Sequence, residues 1–360
     1  MTTNSILSDR ITQLDGLRGI AAVMVLALHF PITDSFFTNN FFVRQSWLFV
    51  DFFFVLSGFI IATNYYTKIN TWSIFKTYII KRVARLLPLL YFTVIVYFAY
   101  EMVGLFLKLK IDPQSISYYT LQTIDSLSFL NSTPILGDSQ GMNPPSWSIS
   151  AEMISYIVFA LGMIIFSRKK IYFSILVVTL CIFFMIINNN FAFQNGDYGY
   201  LRGLLGFNLG VITYKLSKSI NFKTNFLEIP VVLLTLITFY LTFNYKGYLQ
   251  NTQYIVFPFI FSAVVFVFRF SSGLISNVLN SRFLQMLGKL SYSIYLNHYL
   301  LLIIIYQISF NLLGIKMSEF NVSLIFFISI IIVILFSMIT YNFIEMRIGK
   351  KLKNILIEKF

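Results

Sequence analysis

Two side chains in the first long apolar stretch of the sequence, Arg18 and His29, could do chemistry together. They are 11 residues apart, which in an α-helix is about three turns, so both would lie on one helix face about 16 Å apart along the axis. A neutral histidine can take a proton from a hydroxyl group, and an arginine can hold an anion through paired hydrogen bonds. The spacing therefore predicts a polar stripe that joins an anion-binding group to a general base.

A purely structural interpretation of the same stripe stays open, in which Arg18 reaches the membrane interface and His29 only hydrogen-bonds a neighbouring helix. Gly16 and Gly19 lie beside Arg18 and would let a second helix approach closely. Ionisable groups within apolar stretches are costly to bury and usually face a bundle interior. In this sequence they are Asp15, Arg18, His29, Asp51, Glu101, Glu152, His298 and Glu345.

The composition indicates a membrane protein with several spans. Of the 360 residues, 57% are hydrophobic and 11% are charged, whereas soluble domains carry about 25% charged residues. The net charge of +13 does not indicate a nucleic-acid partner, because the basic residues lie between the apolar runs. The single Cys181 and the two histidines exclude a disulfide framework and most metal sites, so we expect no metal and no permanently bound cofactor.

Apolar runs of about 20 residues, the length that a helix needs to cross a bilayer, predict an all-α polytopic membrane bundle of about ten transmembrane helices. With the N-terminus inside, 21 Lys and Arg fall in inside segments and 6 in outside segments. Because cytoplasmic loops carry the excess of positive charge, both termini are expected in the cytoplasm. The predicted spans are roughly 15–33, 46–66, 86–106, 147–166, 171–187, 200–216, 229–245, 253–269, 290–313 and 321–344.

Two segments are predicted to lie outside the spans. Residues 72–85 combine aromatic and aliphatic residues with four basic ones, which is typical of an amphipathic helix on the cytoplasmic surface. Residues 107–146 form the longest predicted loop, on the outer side, and are a candidate cover over a cavity. We expect residues 1–360 to form one integral-membrane domain with its core at 14–347 and no appended soluble domain.

Six segments resemble, in order along the chain, the motifs of one family. The first runs from Leu14 to Phe30 and contains Arg18 and His29. The others are Phe52–Phe59 (FFFVLSGF), Arg82–Pro88 (RVARLLP), Trp147–Glu152 (WSISAE), Gly288–His298 (GKLSYSIYLNH) and Phe343–Glu345 (FIE). The ordered set resembles the acyltransferase-3 family, integral-membrane O-acyltransferases that modify bacterial envelope polysaccharides.

The resemblance implies a ten-helix bundle, an acyl-CoA donor such as acetyl-CoA, and a location in the bacterial inner membrane. It implies that Arg18 and His29 are the essential pair. It also implies that Arg82, Arg85 and Glu345 line the cytoplasmic part of the site.

The chain departs from the family pattern in two places. Members often carry a second glutamate after the WSISAE-like segment, where this chain has Met153. Many carry tryptophan beside the ninth-helix histidine, where this chain has Asn297 and Tyr299. These departures concern contacts with the acceptor more than the chemistry.

The predicted donor side combines Arg18, Lys81, Arg82 and Arg85 with Glu345. Arginines give phosphates directed, charge-assisted hydrogen bonds, and CoA carries several phosphate charges. The alternative for Arg82 and Arg85 is that they only reflect the positive charge of cytoplasmic segments.

The predicted acceptor side lies in the outer half of the bundle, where a sugar would meet His29. Trp147 is a candidate stacking platform or an interfacial aromatic residue, and Asp51 could instead cap the start of its helix. Serine hydroxyls leave a covalent acyl-enzyme open, ranked below direct transfer, and His298 is interpreted as mainly structural. The residues assigned to this side are His29, Asp51, Trp147, Ser148, Ser150 and Glu152, of which Glu152 is also a candidate catalytic residue.

The function expected from these features is O-acetyl transfer from cytoplasmic acetyl-CoA to a hydroxyl of a cell-envelope, capsular or secreted carbohydrate, with His29 as the base. Two alternatives stay open: a glycan exporter or flippase without chemistry, and the same transfer with another acyl group such as succinyl. The expected partners are acyl-CoA, the carbohydrate acceptor and the lipid bilayer.

Overall fold

The computed structural model describes residues 11–107, 114–136, 141–187, 198–220, 223–245 and 252–359. Over these residues the chain is helical and contains no β-strand, which confirms the predicted all-α bundle. The helices are α1 Thr12–Leu28, α2 Phe41–Arg44, α3 Phe49–Tyr65, α4 Trp72–Phe106, α5 Ile116–Leu127, α6 Trp147–Ile165, α7 Lys170–Ile187, α8 Gly199–Ser219, α9 Glu228–Asn244, α10 Gln253–Phe270, α11 Leu274–Leu279, α12 Arg282–Tyr306, α13 Glu319–Thr340 and α14 Gly349–Lys359.

Eight helical segments of the described chain are long and apolar enough to cross a membrane. The two other predicted spans coincide with α1, which has 17 residues, and with α8, which carries several glycines and polar residues. Both are inner helices, since α1 packs along α12 and α8 packs along α3. A helix that is enclosed by other helices needs no apolar face toward lipid, which explains the low hydrophobicity of α8.

Helix α4 differs from the prediction, because the basic segment 72–85 and the span that begins at 86 form one continuous helix of 35 residues. At 1.5 Å per residue α4 is about 52 Å long, which exceeds the roughly 30 Å of a bilayer core. Pro88 lies inside it and removes one backbone hydrogen bond. The buried Leu86, Leu89 and Leu90 around Pro88 hold the two halves in line by packing.

Segments with wide, π-type turns extend two helices of the bundle. Gln307–Leu312 continues α12, and Tyr341–Ile348 joins α13 to α14. The second segment contains the FIE sequence that ends with Glu345. Such turns shift the side chains that follow them relative to a regular helix, and α14 then packs along α4.

The predicted outer loop 107–146 contains α5 and a short helical turn, Pro144–Ser146, that leads into α6. Residues 108–113 and 137–140 of this prediction lie outside the described residues. The side-chain amide of Asn143 donates to the carbonyl of Leu296 at 3.0 Å and so ties the loop to α12.

Candidate active site

Three cavities follow one another through the bundle and share lining residues. The first, here called the basic cavity, has a volume of about 990 Å³. It shares Arg18, Ile60 and Arg85 with a middle cavity of about 100 Å³. The middle cavity shares Val50 and Tyr295 with a third, here called the aromatic cavity, of about 380 Å³.

The basic cavity is lined by more cationic than anionic side chains. Its described lining reaches from Ile11, before α1, to Lys353 in α14, so these two residues lie at the same end of the bundle. The lining cations suit a ligand with several negative charges. They are Arg18, Lys81, Arg85, Lys289, Lys350 and Lys353, and the lining carboxylates are Asp15 and Glu345.

Arg18 lies at the junction of the basic and middle cavities. Its guanidinium donates to the carbonyl of Gly288 in α12, at 3.2 Å from Nε and 2.7 Å from Nη2. A Cβ atom at Gly19 would lie 2.7 Å from the backbone nitrogen of Gly288, which confirms the close helix approach that the glycines predict. This contact holds Arg18 inside the bundle.

The two arginines of the RVARLLP segment lie in different environments. Arg85 lines both the basic and the middle cavity. Arg82 lies outside the three cavities, with its guanidinium carbon 5.5, 5.7 and 5.8 Å from the ring centroids of Tyr65, Tyr78 and Tyr156. The structure therefore brings Arg85, but not Arg82, to the predicted donor side.

Lys81 and Glu345 lie where the sequence predicts them, on the lining of the basic cavity. Glu345 accepts a hydrogen bond from the hydroxyl of Ser293 in α12 at 2.9 Å. This bond attaches the carboxylate to α12 and fixes it on the lining of the basic cavity.

Glu152 and Ser148 line the middle cavity with Arg18 and Arg85. The Glu152 carboxylate accepts hydrogen bonds from the hydroxyls of Ser57, at 2.6 Å, and Tyr156. The sequence groups Glu152 with His29, but the structure brings it to the cavity that both arginines share. Glu152 is thus placed to balance their charge.

The aromatic cavity contains His29 among mostly aromatic side chains. Tyr295 and Tyr299 come from α12, on either side of His298, and Pro144 and Pro145 bring the outer loop to its rim. Its remaining lining residues are Val25, Trp47, Val50, Trp147, Arg202 and Tyr254.

His29 directly follows the last residue of α1, and its ring is held from two sides. Its Nδ1 lies 2.8 Å from the carbonyl oxygen of Val25 and 3.2 Å from Nε2 of His298. A carbonyl oxygen only accepts, so Nδ1 carries the proton. Nε2 then holds a lone pair, which is the form that a general base needs.

Asp51 is fully buried and is bound to a residue that the sequence did not single out. The guanidinium of Arg202 in α8 donates to both carboxylate oxygens of Asp51 in α3, at 3.2 and 2.9 Å. Arg202 lines the aromatic cavity, whereas Asp51 lies behind it. A single charge buried within the membrane-spanning bundle is costly. The presence of one acidic and one basic residue in two predicted spans could therefore have indicated that they pair.

The rings of Trp47, Trp147 and Tyr254 surround Arg202, with centroids 5.4, 5.1 and 4.9 Å from its guanidinium carbon. The indole of Trp147 therefore packs on Arg202 as well as lining the cavity. Tyr295 and Tyr299 of α12 also line the aromatic cavity and offer further aromatic rings to a ligand.

Ser150 lies away from all three cavities. Its hydroxyl donates to the carbonyl of Phe129 and lies 2.8 Å from the hydroxyl of Ser132. Ser150 thus attaches the loop before α6 to α6 itself, while Ser148 of the same motif lines the middle cavity.

A family model described as an acyltransferase domain, of the acyltransferase-3 type, matches residues 11–342. A protein of Rhizobium radiobacter described as protein 2 in the picA locus is 30% identical over 164 residues, which cover 42% of this chain and 82% of that protein. No solved structure matches the chain.

Proposed function

The chain belongs to the acyltransferase-3 family, and from this premise we propose that it transfers an acyl group from acyl-CoA to a carbohydrate hydroxyl. The donor binds in the basic cavity, the acceptor binds in the aromatic cavity, and the transferred group is acetyl. The observation that carries this proposal is the series of three cavities, because a small middle cavity shares lining residues with both the cationic and the aromatic cavity.

The basic cavity suits the phosphates of CoA. Charge-assisted hydrogen bonds from arginine and lysine to phosphate oxygens are shorter and stronger than neutral ones. Lys81, Lys289 and Lys350 surround the wide part of the cavity, while Arg18 and Arg85 lie at its narrow end. The phosphates bind the lysines, and the acyl end points toward the two arginines.

The excess of positive charge on this side also supports an orientation of the basic cavity toward the cytoplasm. Loops rich in Lys and Arg stay in the cytoplasm, where CoA occurs. The basic cavity therefore opens to the cytoplasm and the aromatic cavity to the outer side of the bacterial inner membrane. The acceptor is a cell-envelope, capsular or secreted carbohydrate that arrives from outside.

In the transfer step, the acceptor hydroxyl loses its proton to Nε2 of His29 while its oxygen attacks the thioester carbonyl. A C–O bond forms, the C–S bond breaks, and the thiolate leaves. The proton on His29 then passes to the sulfur, which restores the neutral histidine and releases CoA. Arg18 binds negative charge of the donor at the junction of the basic and middle cavities, through charge-assisted hydrogen bonds.

The size of the middle cavity favours group transfer over passage of a glycan. Its volume of about 100 Å³ is below the roughly 300–1,000 Å³ of ordinary ligand pockets. An acyl group on a flexible arm needs less room than a sugar chain. Acetyl-CoA is therefore tested against succinyl-CoA, since one methylene in a donor pocket changes selectivity by only about 1–3 kcal/mol.

Transfer can be measured with purified protein in proteoliposomes, labelled acetyl-CoA and envelope glycan. His29→Ala should lower the rate by about 10²–10⁴-fold, the usual contribution of a general base, while CoA still binds because His29 lies outside the basic cavity. Ile237→Ala, on the outer face of α9 with 54% of the isoleucine exposed, is the control for folding and should keep full activity.

Two outcomes would contradict the proposal. Full activity of folded His29→Ala protein would remove His29 as the base. Protein-dependent movement of unmodified glycan across the membrane, with no acyl gain, would replace the transferase by an exporter. Transfer from succinyl-CoA but not acetyl-CoA would change the donor and leave the mechanism in place.

A further inference from the structure

His298 lies directly behind His29 and contacts it ring to ring. The ring centroids are 4.9 Å apart, and Nε2 of His298 lies 3.2 Å from Nδ1 of His29. We propose that His298 is a positioning residue that accepts the Nδ1 proton of His29 and holds the opposite nitrogen, Nε2, toward the aromatic cavity. This inference rests on the proposed role of His29 as the base.

The hydrogen bonds of His298 determine which of its nitrogens carries the proton. Nδ1 of His298 lies 3.2 Å from the carbonyl oxygen of Ile294, one turn earlier in α12. Since a carbonyl oxygen only accepts, Nδ1 donates and Nε2 keeps its lone pair. That lone pair faces the Nδ1–H of His29. Each N–H of the two histidines therefore points at an acceptor, either the Nε2 of His298 or a backbone carbonyl.

The arrangement matters most when His29 has taken the proton of the acceptor hydroxyl. His29 is then an imidazolium, and its Nδ1–H is shared by the carbonyl of Val25 and the lone pair of His298. Hydrogen bonds to charged groups are worth more than those between neutral groups. His298 therefore stabilises the charged intermediate more than the resting base, which accelerates the step.

An orienting acceptor behind a catalytic histidine is a known device, and in serine proteases it is a buried carboxylate. Here the acceptor is a neutral imidazole. A neutral acceptor suits this depth of the bundle, because a further buried charge would be costly. The proton does not travel onward, since the Nδ1–H of His298 ends on a carbonyl.

The burial of His298 separates this role from substrate binding. His298 is 0% exposed and lies outside the three cavities, whereas its neighbours Tyr295 and Tyr299 line the aromatic cavity. A change at His298 should therefore act through His29 and leave the affinity for both substrates unchanged.

Two substitutions of His298 test separately the hydrogen bonds that its two ring nitrogens make. The amide of His298→Gln reaches the position of Nε2 and can accept from His29. The shorter amide of His298→Asn reaches only Nδ1, so it keeps the contact with Ile294 but loses the contact with His29. We expect kcat of the asparagine variant to fall about 10–100-fold, as for a lost hydrogen bond to a charged group. The glutamine variant should stay within about 3-fold, and KM for donor and acceptor should not change in either.

A matched control tests general loosening of the helix. Asn297 precedes His298, is buried and donates to Thr340 of α13 at 2.8 Å. It lines none of the three cavities, so the structure places it away from both proposed substrate sites. Asn297→Ala should lower the unfolding temperature without lowering kcat. Equal kcat in the two His298 variants, or a loss in Asn297→Ala as large as in His298→Asn, would overturn the positioning role.

Failure of this inference differs from failure of the proposed function. If His29→Ala is inactive and His298→Asn is fully active, only the role of His298 is wrong. If His29→Ala is fully active, the base itself is wrong and the role of His298 is overturned with it.

Discussion

At the scale of single residues, Arg82 and Arg85 lie only three positions apart in α4 but have different environments and different roles. Arg85 is exposed to the cavities that we assign to the donor. Arg82 is instead surrounded by Tyr65, Tyr78 and Tyr156, and Tyr156 in turn hydrogen-bonds Glu152. Arg82 thus supports the wall of the middle cavity.

This difference predicts opposite results for two alanine variants. Arg85→Ala removes a charge-assisted contact to the donor, worth about 1.5–3 kcal/mol, and should weaken CoA binding about 10–100-fold. Arg82→Ala removes cation–π contacts of about 0.5–2 kcal/mol each, so it should lower the unfolding temperature and leave CoA affinity within about 2-fold. Calorimetric titration with CoA and thermal unfolding in detergent measure both effects. Weak CoA binding by a stable Arg82→Ala protein would contradict the assignment.

Arg202 and His298 are the two residues of the site whose roles the sequence did not indicate. Arg202 counts as one of few basic residues on the outer side, and only its partner Asp51 explains its burial. His298 belongs to a recognisable motif, yet the motif does not say which residue it meets. Both roles depend on contacts between residues more than 150 positions apart.

At the scale of elements, the contact between α3 and α8 is built on glycines. A Cβ atom at Gly58 of α3 would collide with the carbonyl oxygen of Phe207, and one at Gly210 of α8 would collide with that of Val55. Backbone atoms cannot rotate away as a flexible side chain can. The two helices therefore approach as closely as their backbones allow, which brings Asp51 and Arg202 together.

Gly58→Ala and Gly210→Ala should each destabilise the protein by about 1–3 kcal/mol, the usual cost of inserting atoms into a packed interface. They should also lower transfer activity, because Arg202 moves with α8 relative to Asp51 and to the aromatic rings around it. Unfolding in detergent measures the first effect. Ile237→Ala on α9 is the control, and a glycine variant as stable as that control would show that the interface has room.

The path of α4 is a second feature that belongs to this scale. The RVARLLP segment is helical on both sides of Pro88, and Gly349 at the start of α14 packs against the carbonyl of Ala84, with a hypothetical Cβ atom 2.9 Å from it. That carbonyl is the one that Pro88 leaves without its usual helical partner. The first part of α4 and the last helix therefore form one wall of the basic cavity.

At the scale of the whole molecule, the two wide cavities lie at opposite ends of a narrow connection. Donor and acceptor can then each be bound from their own side, while the acyl group on the donor's flexible arm reaches from one cavity to the other. This predicts that each cavity is accessible from one side of the membrane only, because the middle cavity of about 100 Å³ offers less room than an ordinary ligand pocket of roughly 300–1,000 Å³.

Labelling with a membrane-impermeant maleimide tests this sidedness. Cys181 is the single cysteine and is 3% exposed, so Cys181→Ser gives a cysteine-free background. In that background Lys353→Cys, in the basic cavity, should react only from the cytoplasmic side. Tyr254→Cys, in the aromatic cavity, should react only from the outer side. Reaction of both from the same side would contradict the orientation and the route of the acyl group.

The sequence by itself determined the all-α class and the ordered motifs, because these features depend on local hydrophobicity and on short runs of residues. It also located most of the apolar helices, although it divided α4 at residue 86. It also predicted that Arg18 and His29 lie in the interior and that Lys81, Arg85 and Glu345 share one side. The number of spans and their orientation stay predictions.

The tertiary structure decided which distant residues meet. Hydrophobicity shows that α1, α3, α8 and α12 form, but it does not show which backbones pack together, since that depends on glycines and shapes far apart in the chain. The packing places Arg82 and Ser150 outside the cavities, moves Glu152 to the arginines and binds Asp51 to Arg202. It also brings His298 behind His29, and this contact presents the histidine's free lone pair to the aromatic cavity.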